Sequence, residues 1–217
     1  SFANDAVYAP AVVQANNLLL SLLDSRYALV VNRPSTMMSN TTKPYQAYRV
    51  RDIPLKQPEY ACLANVVLSE PPRDTIVKSM SSTRSIVQPL DAVVTGKHVA
   101  EPILVQQCIH GLNVRVHVIG DVCHAVAIRS SDIDYRYSAD TYFRPYCLPR
   151  AIRHSCLEIC ARFGLIFAGI DLIYADESFY FLEANPSPGY DYFEKAVGSE
   201  VISAALYAVL TRQVARC

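Results

Sequence analysis

A chain of 217 residues, 51% hydrophobic and 18% charged, can bury a sizeable core in one large or two small globular units, which excludes a disordered polypeptide. Twenty basic residues balance twenty acidic ones, so no global field draws the chain to nucleic acid or to an anionic membrane, and any phosphate binding has to be local. Seven cysteines, an odd number without a Cys-x-x-Cys pair, point to reduced thiols; with no apolar run of about eighteen residues and no basic secretory start, the expectation is a cytoplasmic protein that spans no membrane.

Between Pro10 and Asp24, Val12, Val13, Leu19, Leu20, Leu22 and Leu23 recur at roughly helical spacing around Asn16 and Asn17, which predicts an amphipathic helix. Tyr27 to Val31 predicts a short buried strand. Asn32-Arg33-Pro34 and Ser39 to Pro44 are turn-rich, and the second run introduces a helix near Pro44. Lys43, taken alone, is a solvated turn residue.

Thr75 to Lys78 predicts the end of a strand that delivers Lys78 into the hydroxyl-rich run Ser79 to Ser85. A strand-borne ammonium beside such a loop suits phosphates, while a plain exposed Ser/Thr loop is the alternative. Pro102 to Cys108 is an apolar strand ending in Gln106 and Gln107, followed by Ile109-His110-Gly111. Asn113 to Gly120 alternates cleanly. Val114, Val116 and Val118 take one face, and Arg115 and His117 take a polar face expected to overlook a cleft. For His117 an exposed strand position is the simpler reading and a catalytic one the alternative.

Cys123 to Ile128 predicts a partner strand, with Asp132 to Tyr137 in a loop after it. From Pro149 to Gly164 the apolar positions, Cys156 and Cys160 among them, recur at helical spacing and indicate packing. Phe167 to Tyr174 and Phe179 to Asn185 flank the polar Ala175-Asp176-Glu177-Ser178 and predict a β-hairpin. A turn centred near Glu177 pairs residues whose numbers sum to about 354, placing Asp171 opposite Glu183 with Cβ atoms about 5 Å apart and Asn185 on the same face. Two carboxylates that close require a proton or a cation between them, and hard oxygen donors of this kind suit Mg²⁺, its shell completed by substrate phosphates. Asn185-Pro186-Ser187-Pro188-Gly189 stops the strand and fixes the Asn at its end. Ser199 is the expected N-cap of a last helix with Val201, Ile202, Ala205, Leu206 and Val209 as its buried stripe.

Asp171, Glu183 and Asn185 at spacings of twelve and two, followed by Pro-Ser-Pro-Gly and Glu194-Lys195-x-x-Gly198, resemble the C-terminal lobe of ATP-grasp ligases, and the RimK-type carboxylate-amine ligases in particular. The resemblance covers about residues 40 to 210. It implies an α+β fold of two lobes with nucleotide between them: residues 1–42 as the remnant of a preceding domain, 43–105 as the first lobe and 106–217 as the second. It further implies that Asp171, Glu183 and Asn185 hold Mg²⁺, with Mn²⁺ an alternative, and that Lys43, Lys78, Gln106, Gln107, Ile109, Asn113 and Arg136 line the ATP site. Lys78, Arg115 and Arg136 are the implied catalytic residues, Arg115 matching the arginine of the family's Asp-Ile-Arg motif. Three departures stand out: the phosphate-covering loop has no glycine, Asn113 replaces an acidic residue near the ribose, and Ser138 replaces the Asn two positions after Arg136.

The function implied is an ATP-dependent ligase that activates a carboxylate as acyl phosphate and joins it to an amine on an amino acid, peptide or protein, with homo-oligomerisation left open. Asp134-Tyr135-Arg136-Tyr137 with Leu148-Pro149 is also similar to graspetide ligases, which close side-chain esters or amides. A non-catalytic nucleotide-binding fragment is the alternative of a different class.

Overall fold

The computed structural model describes residues 8–25, 29–37, 43–67, 74–79, 88–89, 98–99, 102–130 and 140–211. Helices α1 (Tyr8–Asp24), α2 (Pro34–Met37) and α3 (Lys43–Arg49) lead into strands β1 (Tyr60–Leu63), β2 (Val66–Val67), β3 (Thr75–Ser79), β4 (Gln88–Pro89), β5 (His98–Val99) and β6 (Ile103–Gln107). Strands β7 (Leu112–Ile119), β8 (Val122–Arg129) and β9 (Tyr142–Tyr146) follow, then helix α4 (Arg150–Phe163), the hairpin β10 (Phe167–Ala175) and β11 (Ser178–Asn185), and helices α5 (Asp191–Val197) and α6 (Val201–Thr211). The strands form a four-stranded sheet in the order β1-β6-β3-β4, a five-stranded sheet β11-β10-β7-β8-β9 and a two-stranded β2-β5 pair.

The five-stranded sheet carries the main core. Val114, Val116 and Val118 of β7 meet Ala168, Ile170 and Leu172 of β10 on the face covered by α4, whose Cys156, Ile159, Cys160 and Phe163 complete the layer. Burial pushes the Cys160 thiol up to about 12 and the Cys156 thiol well above its usual range, so both behave as small apolar side chains. The opposite face is covered at one end by α5 and α6. Phe193 packs on Val126 and Ile128 there, and Ile202 packs on Ile119 and Phe167.

The hairpin turn is tighter than the sequence suggested. Asp176 and Glu177 both take positive φ, 46° and 56°, as a two-residue turn matched to the strands' twist demands. Pairs next to the turn, such as Tyr174 with Phe179, therefore sum to 353, and a bulge between Asp171 and Leu172 then shifts the register to 354. Asp171 consequently does face Glu183, and Gly169 faces Asn185.

Of the strand expected over Tyr27 to Val31, residues 27 and 28 lie outside the described residues and residues 29–31 form no strand. Both edges of β10 are already paired, with β7 and β11, and this segment meets the start of β10 through the Asn32 side chain. Helix α1 begins two residues before Pro10 and leaves its apolar stripe exposed, Val12 at 61% and Leu18 at 63%. Strand β6 runs to Gln107 in the four-stranded sheet, and α3 packs on β11 of the other sheet, so the chain between the two sheets crosses at residues 108–111. Gly111 permits that crossing: a Cβ there would lie 2.4 Å from the Tyr174 carbonyl oxygen and 2.8 Å from the Ile173 side chain.

Ser199 is not the cap of the last helix. It instead closes α5, donating its N–H to the Glu194 carbonyl beside the left-handed Gly198. Glu194 supplies the cap of α6, its buried carboxylate accepting from the Ser203 N–H at 2.8 Å and the Ser203 hydroxyl at 2.6 Å. An acidic group satisfying a helix N-terminus is favoured by both hydrogen bonding and the helix dipole. Replacement Glu194→Ala should lower stability by about 1–2 kcal/mol, measured by urea denaturation.

Candidate active site

Three neighbouring strands place the polar residues of the site side by side. Asp171 at the centre of β10 stands opposite Arg115 of β7 and opposite Glu183 of β11. Arg115 Nη1 donates to Asp171 Oδ1 at 2.6 Å and Oδ2 at 2.7 Å, and the guanidinium lies 5.7 Å from the centroid of the Phe193 ring. Gly169 makes room for it, since a Cβ there would sit 2.5 Å from Arg115 Nη2 and 2.7 Å from Pro188 Cβ. The carboxylate gripped by Arg115 in this structure is thus the protein's own.

Glu183 has a separate counter-charge. Lys43, in the first turn of α3 and only 7% exposed, brings Nζ to 3.4 Å from Glu183 Oε2. Lys43 is therefore at the site and not a solvated turn residue. Lys78 is equally buried and donates to Gln106 Oε1 at 3.2 Å; its charge also acts on Asp171. Burial holds the Asp171 carboxyl above its usual range and the Glu183 charge adds to this, against the opposing pull of Arg115 and Lys78. A divalent cation between Asp171 and Glu183 would relieve that cost.

Among the described residues no three His, Cys, Asp or Glu side chains cluster to hold a metal. The set available is two carboxylates and the amide of Asn185, whose Oδ1 accepts from the Ser187 N–H at 2.9 Å as the chain turns into Pro188. So few protein oxygens suit a small hard cation that takes the rest of its shell from water or phosphate. A shallow cleft lies alongside, lined by Lys43, Gln57, Tyr60, Leu104, Gln106 and Phe181.

Other residues singled out from the sequence are dispersed. The Gln107 carboxamide accepts from the Glu59 N–H at 3.3 Å, Ile109 is half-buried at the crossing, and half-buried Asn113 shares the Arg115 face of β7. Arg136 and the run Met80 to Ser85 lie outside the described residues. His117 neither overlooks a cleft nor is exposed: it is fully buried beneath α5, edge-on to Phe193 at 5.0 Å, with Nε2 3.2 Å from the Gly189 carbonyl oxygen. Burial, assisted by the Arg115 charge, lowers its pKa to about 3 and keeps it neutral.

Two residues that sequence reasoning passed over also belong to this region. Gln46, 1% exposed, bonds through its carboxamide to both backbone groups of Ala184, and Asn32 bonds to Pro186. The one available signal was the placement of Gln46 three residues after Lys43, on the same side of a helix.

With the geometry in place, comparison with known proteins shows what it resembles. A family model described as the RimK-like ATP-grasp domain matches residues 73–209. No curated protein sequence matches the chain. Among solved structures, the ATP-grasp ligase PsnB complexed with its minimal precursor superposes with a TM-score of 0.76 at 23% identity, covering 94% of this chain and 72% of that one. Macrocyclase MdnC bound with precursor peptide MdnA, from Microcystis aeruginosa, gives 0.72 at 19% identity over 98% and 74% of the two chains. D-alanine–D-alanine ligase from Bacillus anthracis gives 0.65 at 16% identity over 92% and 74%. These likenesses establish a shared α+β fold, the ATP-grasp fold.

The buried neutral His117 generates a prediction. Its native pKa of about 3 lies below the unfolded value near 6.5, so the native state binds fewer protons and the stability present above pH 6.5 is lost as pH falls toward 3. By pH 5 the loss from this group should reach about 2 kcal/mol, and His117→Gln should remove that component from denaturant-derived stability curves taken between pH 7 and 5.

Proposed function

Because the chain belongs to the RimK-like ATP-grasp family, we propose that it is an ATP- and Mg²⁺-dependent ligase that activates a carboxylate as acyl phosphate and joins it to an amine, releasing ADP. The observation that carries this reading is the register of β10 and β11, which sets Asp171 against Glu183 with Asn185 on the same face. Those three side chains would hold Mg²⁺, which supplies Lewis-acid compensation of phosphate charge when bound. The ADP and Mg held in a PsnB structure of the same fold support nucleotide and Mg²⁺ as the cofactors.

A carboxylate is a poor electrophile because oxide would have to leave; phosphorylation provides a better leaving group, and the protein's part is positioning and charge compensation. Lys78, buried on β3 and held by Gln106, presents an ammonium from the four-stranded sheet toward the Asp171 side of the five-stranded one. Lys43 would exchange Glu183 for nucleotide phosphate, while Arg115 stays on Asp171 and keeps that carboxylate oriented. Arg136 is assigned beside the transferred phosphoryl group from the family resemblance, and Gln106, Gln107, Ile109 and Asn113 would line the nucleotide side on either side of the crossing between the two sheets.

The acceptor is an amino acid, a peptide or a protein. A peptide substrate, closed on itself by an ester or amide, is the more specific alternative, favoured by the precursor peptides held in the PsnB and MdnC structures. Substrate-dependent ADP release across amino acids and acidic peptides, with mass spectrometry of products, separates these outcomes.

Two variants test the site itself. Glu183→Gln and Asp171→Asn should each depress substrate-dependent ADP release by about two orders of magnitude or more while the circular dichroism spectrum is retained. With an ¹⁸O-labelled carboxylate donor, one labelled oxygen should appear in inorganic phosphate for each bond formed. AMP with pyrophosphate as products, or full activity in either variant, would remove the reading.

A further inference from the structure

Asn185 is gripped on both sides by carboxamides that come from distant parts of the chain. Before it, the Ala184 N–H donates to Gln46 Oε1 and the Ala184 carbonyl accepts from Gln46 Nε2, each at 2.9 Å. After it, the Pro186 carbonyl accepts from Asn32 Nδ2 at 2.6 Å. The same nitrogen donates to the Phe167 carbonyl at 2.5 Å, and Asn32 Oδ1 accepts from the N–H groups of Ile166 and Phe167 at 2.8 and 3.0 Å. Asn32 therefore ties the residue following Asn185 to the beginning of β10.

The need for such restraint follows from the strand that carries Glu183 and Asn185. Strand β11 is an edge, and among the described residues its outer side meets no further strand of the sheet. Lys56 covers it at Phe179 and Phe181 through backbone bonds, and then the bulge at Leu182 interrupts the ladder. Beyond the bulge only three pairs with β10 remain before Pro186, which has no N–H to continue them. A carboxamide can set an N–H beside a C=O, as a strand residue does, so Gln46 acts as a one-residue strand laid against Ala184. It does so in a dry setting, at 1% exposure, where an unmet Ala184 N–H or carbonyl would be costly.

We propose that Gln46 and Asn32 are positioning residues that hold the oxygens of Glu183 and Asn185 at the separation a divalent cation requires, without touching the ion. The inference rests on the metal-dependent reading above and assigns to two residues outside the ligand set the geometry of that set. Small hard cations tolerate little variation in ligand distance, so a strand end free to shift by a few tenths of an ångström would bind them poorly. Helix α3 does both jobs from one side. Lys43 compensates Glu183 and Gln46, three residues later, fixes the backbone beside it.

The test uses the whole chain with ADP and Mn²⁺, reading bound Mn²⁺ by electron paramagnetic resonance and backbone exchange over residues 179–187 by hydrogen–deuterium mass spectrometry. Gln46→Met keeps the volume and removes both bonds to Ala184. Asn32→Asp keeps the acceptor for Ile166 and Phe167 but cannot donate to Pro186. Each should weaken Mn²⁺ binding about 10- to 100-fold, as loss of outer-shell partners does elsewhere, and accelerate exchange beyond the bulge while leaving metal-free ADP affinity unchanged. Arg162→Met is the structural control: Arg162 clasps α3 by donating to the Arg49 carbonyl and to Asp52, away from the ligand strand, and its loss should lower the melting temperature without altering Mn²⁺ affinity. Mn²⁺ affinity within twofold of wild type in a folded Gln46→Met or Asn32→Asp, equal weakening by Arg162→Met, or failure of both variants to fold would overturn the proposal. Absence of Mn²⁺ binding by the wild-type chain with ADP would overturn the metal-dependent reading as well, whereas normal wild-type binding with unaffected variants overturns this inference alone.

Discussion

Two carboxylates facing each other across one strand pair are the constraint on which this structure turns. Asp171 and Glu183 cannot both be ionised at about 5 Å between Cβ atoms without compensation, and the chain provides a cation for each: Arg115 from the neighbouring strand and Lys43 from α3. The two cations differ in what they can do. Arg115 is buried, bonds both oxygens of Asp171 through one nitrogen and is wedged over Gly169 and Phe193, so it is a fixed part of the sheet. Lys43 makes one longer contact at the edge of a cleft, so Glu183 is held less tightly than Asp171.

Around this arrangement the remaining architecture divides the labour. One face of the five-stranded sheet is given to the core with α4, and the other is closed at one end by α5 and α6, so that charge is concentrated where the four-stranded sheet approaches. His117 shows the boundary. Two residues along β7 from Arg115, it is already beneath α5 and neutral, contributing packing and a bond to Gly189 in place of acid–base chemistry.

Much of this was legible in local pattern. The hairpin, the opposition of Asp171 and Glu183 and the alternation of β7 all follow from strand periodicity, and Gly164 ends α4 as expected. The Asp171–Glu183 pairing was reached from a turn placed half a residue away, and a bulge at Leu182 made up the difference; an apolar residue within an apolar run gives no sign that it is an extra one. The burial of His117 was missed because alternation states which face a residue occupies, not what covers that face, and the helix over it, DYFEKAV, is only seven residues long. Asn32 and Gln46 lie more than 130 residues from the backbone groups they hold, and a polar side chain in a turn or a short helix carries no mark of a partner that distant.

Thermal stability with nucleotide and metal tests the central claim most directly, because it requires no knowledge of the acceptor. If Asp171, Glu183 and Asn185 form a nucleotide-dependent cation site, ADP with Mg²⁺ at about a hundredfold excess over its dissociation constant should add about 2.7 kcal/mol to the stability of the wild-type chain and clearly less to that of Glu183→Gln. No stabilisation of a demonstrably folded wild-type protein by millimolar ADP and Mg²⁺, or the same stabilisation in both chains, would contradict the account.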